Sequence, residues 1–92
     1  MDRAAATERV REIVAGYRAG IPIAEARPGD MVLHVEHQRM REEALVAATA
    51  FLVRYHDASD EWLPMALEAI LKEGDVEWLR DPDFKPPAQR AE

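Results

Sequence analysis

The sequence predicts an all-α fold, a small bundle of three to four helices with a long central helix. Three observations support this prediction. Apolar residues recur at helical spacing in three separate segments, and the prolines fall at the borders of these segments or after them. In addition, the ten residues 44–53 are apolar around the whole circumference of a helix. A chain of 92 residues forms one domain at most, and we place that domain at residues 1–80.

The first predicted helix runs from about Arg3 to Ala19. Five of its positions form one apolar face, and arginine and glutamate side chains lie largely opposite. These apolar positions are Ala6, Val10, Ile13, Val14 and Tyr17. Gly20 suits the left-handed position that follows a helix end, so we expect the helix to end there.

Residues 21–30 interrupt the helical period, because Pro22 and Pro28 do not suit a helix interior. Two interpretations are open for this region. In the first, a loop leads to a helix capped by Asp30. In the second, residues 21–35 form a short β-hairpin around a turn at Pro28-Gly29. The loop is the preferred interpretation.

The central helix is predicted from Met31 to about Tyr55. The residues that would face a neighbouring helix, here called the seam, are spaced alternately four and three positions apart. This spacing is typical of helices packed side by side. The seam residues are Leu33, His37, Met40, Ala44, Ala47 and Phe51. A helix that is apolar on every side is buried on every side. A 92-residue chain offers little surface to cover it, so we expect burial against another chain.

A third helix is predicted from Leu63, with Pro64 in its first turn, Ser59 as its cap and Gly74 at its end. Val76, Trp78 and Leu79 indicate one further short helix or turn. The predicted core combines Leu33, Met40, Ala44, Ala47, Phe51, Ile70 and Leu71. Residues 81–92 are rich in proline and acidic residues, and we expect this tail to be disordered.

Composition excludes several classes of function. The chain has no cysteine, so disulfide scaffolds, zinc–thiolate sites and thiol nucleophiles are excluded. Residues 1–54 carry eight acidic and eight basic side chains, whereas residues 55–92 carry ten acidic and four basic ones. This excess of acidic side chains argues against nucleic acid as a partner.

We find neither a signal peptide nor a membrane span, and we expect a cytoplasmic protein. Ten arginines against two lysines suggest a bacterial or phage origin.

The histidines give only a weak indication of chemistry. Asp30, His34 and His37 lie one turn apart on the central helix and are the weak candidates for metal ligands, although a single helix rarely completes a site. Our interpretation is therefore no metal, no cofactor, no catalytic residue and no enzymatic activity. If His37 lies in a helical seam, its protonation should weaken an interface below about pH 6.

The function predicted from these features is that of a non-catalytic helical interaction protein, a self-assembling oligomer or an accessory subunit of a larger complex. Its expected interface residues are Ala44, Leu45, Ala48, Phe51, Leu52, Trp78 and Phe84. One alternative is a small acidic regulator or inhibitor that binds a basic protein through Trp78 and Phe84. A further alternative is a DNA-binding regulator, because residues 17–26 resemble the start of a helix-turn-helix segment. That resemblance stops at Arg27-Pro28-Gly29.

Overall fold

The computed structural model describes residues 2–84 and contains three α-helices and one short 3₁₀ helix. Helix α1 spans Arg3–Ala26, α2 spans Met31–His56, and α3 spans Leu63–Glu73. The 3₁₀ helix spans Glu77–Arg80. The predicted all-α bundle with a long central helix is confirmed. The β-hairpin at 21–35 is not, because the described part of the chain contains no strand.

Helix α1 is longer than predicted. It continues through Gly20 and Pro22 and ends at Ala26, although Pro22 has no N–H to donate to the carbonyl of Arg18. Packing against α2 explains the difference, because Gly20 lies against His37 of α2, and Ala24 in the last turn of α1 is buried. The helix ends where the residue before Pro28 must leave helical geometry, and Arg27 has φ −131° and ψ 64°.

Helices α1 and α2 form an antiparallel hairpin. Near the turn, the ring Nε2 of His37 lies 3.1 Å from the carbonyl oxygen of Tyr17. At the other end, the side chain of Arg3 reaches the carbonyl oxygen of Tyr55. Asp30 caps α2 as predicted, because its carboxylate accepts a hydrogen bond from the backbone N–H of Leu33 at 3.0 Å.

Helix α3 begins and ends near the predicted positions but is capped differently. Pro64 lies in the first turn, and Gly74 ends the helix in the left-handed conformation at φ 70°, both as predicted. The prediction that Ser59 caps the helix is wrong. Trp62 occupies the N-cap position without a side-chain hydrogen bond. The hydroxyl of Ser59 is buried and has no hydrogen-bond partner among residues 2–84.

The core forms one cluster to which all four elements contribute. Of the predicted core residues, Ala44, Phe51, Ile70 and Leu71 are buried, whereas Leu33, Met40 and Ala47 are only partly buried. The structure adds apolar residues from every element, namely Val10, Val14, Ala48, Leu52, Trp62, Ala66, Val76 and Leu79. Trp62 is therefore a core tryptophan.

Candidate interaction site

The predicted interface residues of α2 lie mostly inside the chain's own core. Ala44, Ala48, Phe51 and Leu52 are buried among residues of α1, α3 and the 3₁₀ helix, and Leu45 is half-buried at the edge of that cluster. From the sequence, we expected one short chain to be unable to cover this segment. The structure shows that the chain covers these faces itself, so no second chain is needed to bury these residues.

One face of α2 nevertheless stays uncovered. Val32, Val35, Val46 and Val53 are exposed to 81%, 66%, 70% and 55%. Together with three other exposed positions, they recur every three or four residues and share one side of the helix, opposite the core. We call this set the outer stripe. It consists of Val32, Val35, Arg39, Glu42, Val46, Ala50 and Val53.

Single exposed apolar residues are normal on a protein surface. Here they are concentrated, because five of the seven large apolar residues that are exposed among residues 2–84 belong to α2. Those five are Met31, Val32, Val35, Val46 and Val53. The outer stripe therefore offers another helix or surface the kind of apolar row that normally faces a core.

Two charged residues interrupt the stripe at its middle. The guanidinium of Arg39 pairs with the carboxylates of Glu36 and Glu43, the latter at 2.7 Å. The hydrogen bond from Arg39, helped by its charge, lowers the pKa of the Glu36 carboxyl. Glu42 makes no hydrogen bond or ion pair with any residue from 2 to 84. The stripe thus carries one paired cation and one carboxylate still open to a partner.

A groove between α1 and α2 borders the stripe. It has a volume of about 550 Å³, and its walls include Arg9 and Ile13 from α1 and Val46 from α2. A second hollow of about 200 Å³ continues along the same side past Ala50 and Tyr55. The surface beside the stripe is therefore concave, and side chains of a packed helix would find space there.

A larger groove of about 610 Å³ lies on another side of α2, where α1, α2 and α3 meet. Its apolar walls include Tyr17, Leu45 and Leu67, and its charged residues are Arg41, Glu68 and Lys72. Leu45, one of the predicted interface residues, lines this groove rather than the outer stripe.

Trp78 and Phe84, the other predicted interface residues, pack together within the chain. Their ring centroids are 4.4 Å apart, and the ring of Trp78 lies 5.5 Å from that of the buried His56. Both aromatic residues are half-buried. Phe84 belongs to the predicted tail, of which residues 85–92 lie outside the described part of the chain. These aromatic rings therefore contribute to packing at this end of the domain.

Arg3 has a structural role that the sequence pattern did not indicate. Its guanidinium lies 2.7 Å from Nε2 of His56 and donates to the carbonyl oxygens of Leu79 and Asp81 at 3.0 and 3.1 Å. Because a guanidinium only donates, Nε2 of His56 is the acceptor in this contact. Arg3 thus ties the start of α1 to the end of α2 and to the 3₁₀ helix. No local pattern marks this role, since its partners are 52 to 78 residues away.

Each weak metal candidate has another role in the structure. Asp30 caps α2, and the ring of His34 lies 2.9 Å from the carbonyl oxygen of Arg27. His37 contacts the carbonyl of Tyr17 and stacks on its ring at 5.0 Å. Among residues 2–84, no three His, Cys, Asp or Glu side chains are grouped so that they could hold a metal ion.

His37 lies inside the α1–α2 hairpin and not on the outer stripe. A carbonyl oxygen only accepts, so Nε2 of His37 donates to it, which both the neutral and the protonated ring can do. His37 thus lies in a seam between two helices of the same chain, and the weakening of an interface below about pH 6 stays a prediction. Gly20 makes the close packing possible, because a Cβ atom there would lie 2.9 Å from Cδ2 of His37.

The segment that resembles a helix-turn-helix start is continuous helix. Residues 17–26 all belong to α1, with no turn at Gly20. Helix α2 then packs back along α1, whereas DNA-binding helix-turn-helix segments set their two helices at about 90–120°. The glycine signal reflects contact with His37 instead. Within residues 2–84, no helix is long and apolar enough to cross a lipid bilayer.

Comparisons with known proteins give no relative from which a function could be transferred. No protein-family model, curated protein or solved structure matches this chain.

Proposed function

We propose that this chain is a non-catalytic helical interaction protein that binds another protein chain through the outer stripe of α2. The observation that carries the proposal is the row of four exposed valines on the side of α2 that faces away from the core. An apolar row of this kind is typical of a surface that a partner covers. Either a self-assembling oligomer or a subunit of a larger complex would cover it.

The hydrophobic effect supports this proposal over electrostatic capture. Burying a valine side chain contributes about 1.5 kcal/mol or more, so four valines supply a substantial driving force for association. The acidic-regulator alternative has less support, since Trp78 and Phe84 already pack against each other. In addition, Glu77 and Glu8 already pair with Arg11 and Arg80.

Site-specific photocrosslinking in the native host cells tests the proposal. A benzophenone side chain would replace Val46 in the outer stripe or, as the matched control, Met65 on α3. Met65 is also apolar and is 47% exposed. We expect ultraviolet light to give a discrete protein adduct from position 46 and none from position 65.

The proposal would be wrong if position 46 gave no discrete adduct, or if both positions gave the same products. An adduct that is formed at 46 but abolished by Val35→Asp would strengthen it, because both residues belong to the stripe but lie three turns apart.

A further inference from the structure

We infer that the partner of the outer stripe is a second copy of the same chain, packed antiparallel so that Arg39 of each copy faces Glu42 of the other. This inference rests on the function proposed above and names its partner. It depends on the order of charges within the stripe, which is complementary to itself in one orientation only.

A parallel pair of α2 helices would place identical residues opposite each other. Arg39 would then face the partner's Arg39, and Glu42 would face the partner's Glu42. Like charges in such positions repel, and charged positions of paired helices set their orientation in this way. The parallel arrangement is therefore disfavoured by both charged residues of the stripe.

An antiparallel pair with its two-fold axis between Met40 and Arg41 places opposite charges together. Arg39 then faces the partner's Glu42, and symmetry repeats the contact once. The same register sets Val35 opposite the partner's Val46. Both charged pairs are thus flanked by apolar contacts, and the carboxylate of Glu42 gains the cation that it lacks within its own chain.

Neighbouring registers lose this match. Moving the axis by two residues along α2 sets Glu42 opposite the partner's Glu43 and Arg39 opposite the partner's Val46. A carboxylate then meets a carboxylate, and the guanidinium lies over an apolar side chain, which is unfavourable when water is excluded. The charge positions therefore select the register as well as the direction.

The contact area indicates a weak dimer. In this register, residues 31–50 overlap with the same residues of the partner, a length of about 30 Å at 1.5 Å per residue. Val53, at the end of the stripe, lies beyond this overlap. A single helix pair of this length lies at or below the low end of stable interfaces, which bury about 1,200 Å² or more. We therefore expect an equilibrium between monomer and dimer that depends on protein concentration.

Sedimentation equilibrium of the full chain with charge-swapped variants tests this inference. Arg39→Glu and Glu42→Arg each create two like-charge contacts in the proposed dimer. We expect each to weaken dimerisation about tenfold. The double variant R39E/E42R restores opposite charges across the interface and should return the dissociation constant to within about threefold of the original.

Arg41→Glu is the matched control for these variants. It makes the same change of charge as Arg39→Glu on the same helix, but Arg41 lines the groove with α3 and not the stripe. We expect dimerisation to be unchanged. Circular dichroism melting of every variant identifies any loss of helix, and E42R carries the test by itself if R39E is unfolded.

Cysteine crosslinking tests the register independently, since the chain has no cysteine of its own. A mixture of Val35→Cys and Val46→Cys chains should oxidise to a species of twice the 10.4 kDa chain mass. Neither variant alone should do so, because in this register its own copies place their cysteines about 16 Å apart along the helix.

Three results would overturn the inference: a wild-type chain that stays monomeric at all concentrations, single charge swaps without effect, or a double swap that does not restore dimerisation. None of them decides the proposed function, which the crosslinking at position 46 judges separately. An adduct from cells whose mass is not a multiple of the chain mass would support the interaction surface and reject a second copy as its partner.

Discussion

Within residues 44–53, the inner and outer faces of α2 are both apolar but have different surroundings. On the inner face, Ala44, Ala48 and Leu52 are completely buried by the rest of the chain. On the outer face, Val46 and Val53 remain more than half exposed. The inner residues therefore stabilise the fold, whereas the outer ones gain little from folding and contribute once a partner covers them. A helix that is apolar on every side can thus serve both folding and association.

The largest predicted effect separates the two faces at adjacent residues. Leu52→Ala should destabilise the chain by about 2–5 kcal/mol, because it leaves a cavity in the core. Val53→Ala should change stability by less than about 0.5 kcal/mol. Chemical denaturation at low protein concentration, where monomer dominates, measures both. Equal losses from the two variants would show that α2 has no distinct outer face.

The second prediction concerns the end of the inner face, where Arg3 joins three elements. Arg3→Gln should destabilise the chain by about 1.5–3 kcal/mol, because the charged hydrogen bonds to His56 and to the carbonyl of Leu79 are lost. Arg9→Gln removes the same charge from the same helix at an exposed position without an ion pair among residues 2–84. It should be nearly neutral in urea denaturation. A similar loss from both variants would indicate that only net charge matters.

A third prediction tests how closely α1 approaches the inner face. Gly20→Ala should destabilise the chain by about 1–3 kcal/mol, because the new methyl group would overlap His37. Gly16→Ala should instead stabilise it by about 0.5–1 kcal/mol, since its Cβ would lie at an ordinary 3.7 Å from Met40.

The double variant Gly20→Ala/His37→Ala measures this contact directly in thermal denaturation. If the overlap is the cause, removing the imidazole should cancel much of the loss from Gly20→Ala, so that the two effects are not additive. Additive losses would mean that Gly20 is needed for another reason.

The spacing of apolar residues predicted the helices and one apolar face of each helix, because this spacing follows from local helix geometry. Gly74 and Pro64 were placed correctly for the same reason, since their backbone preferences act locally. The sequence did not reveal which of the apolar faces of α2 the chain covers itself. That outcome depends on how α1 and α3 pack, as the burial of Ala48 beside the exposed Val46 shows. Gly20 and Pro22 were misread as a helix end, because contact with α2 overrides their local preference.

The smallest predicted effect lies on the charged surface, away from both faces of α2. Arg11 of α1 pairs with Glu77 of the 3₁₀ helix at 2.5 Å, and this hydrogen bond, with the charge of Arg11, lowers the pKa of the Glu77 carboxyl.

Because the pKa of Glu77 is lowered in the folded state, the ion pair stabilises the fold fully above the ordinary pKa of a glutamate carboxyl, about 4.3. This stabilisation is lost as the pH falls through the lowered pKa. Glu77→Gln should therefore be slightly less stable than the original chain at pH 7, and the difference should close in acid, once the pH lies below the lowered pKa of Glu77. Glu68→Gln, a change at an exposed carboxylate without an ion pair among residues 2–84, should show no such difference in melting temperature at either pH. Because exposed ion pairs contribute little, a Glu77→Gln loss as large as that of Leu52→Ala would mean that surface charge, and not burial on the inner face, dominates the stability of this bundle.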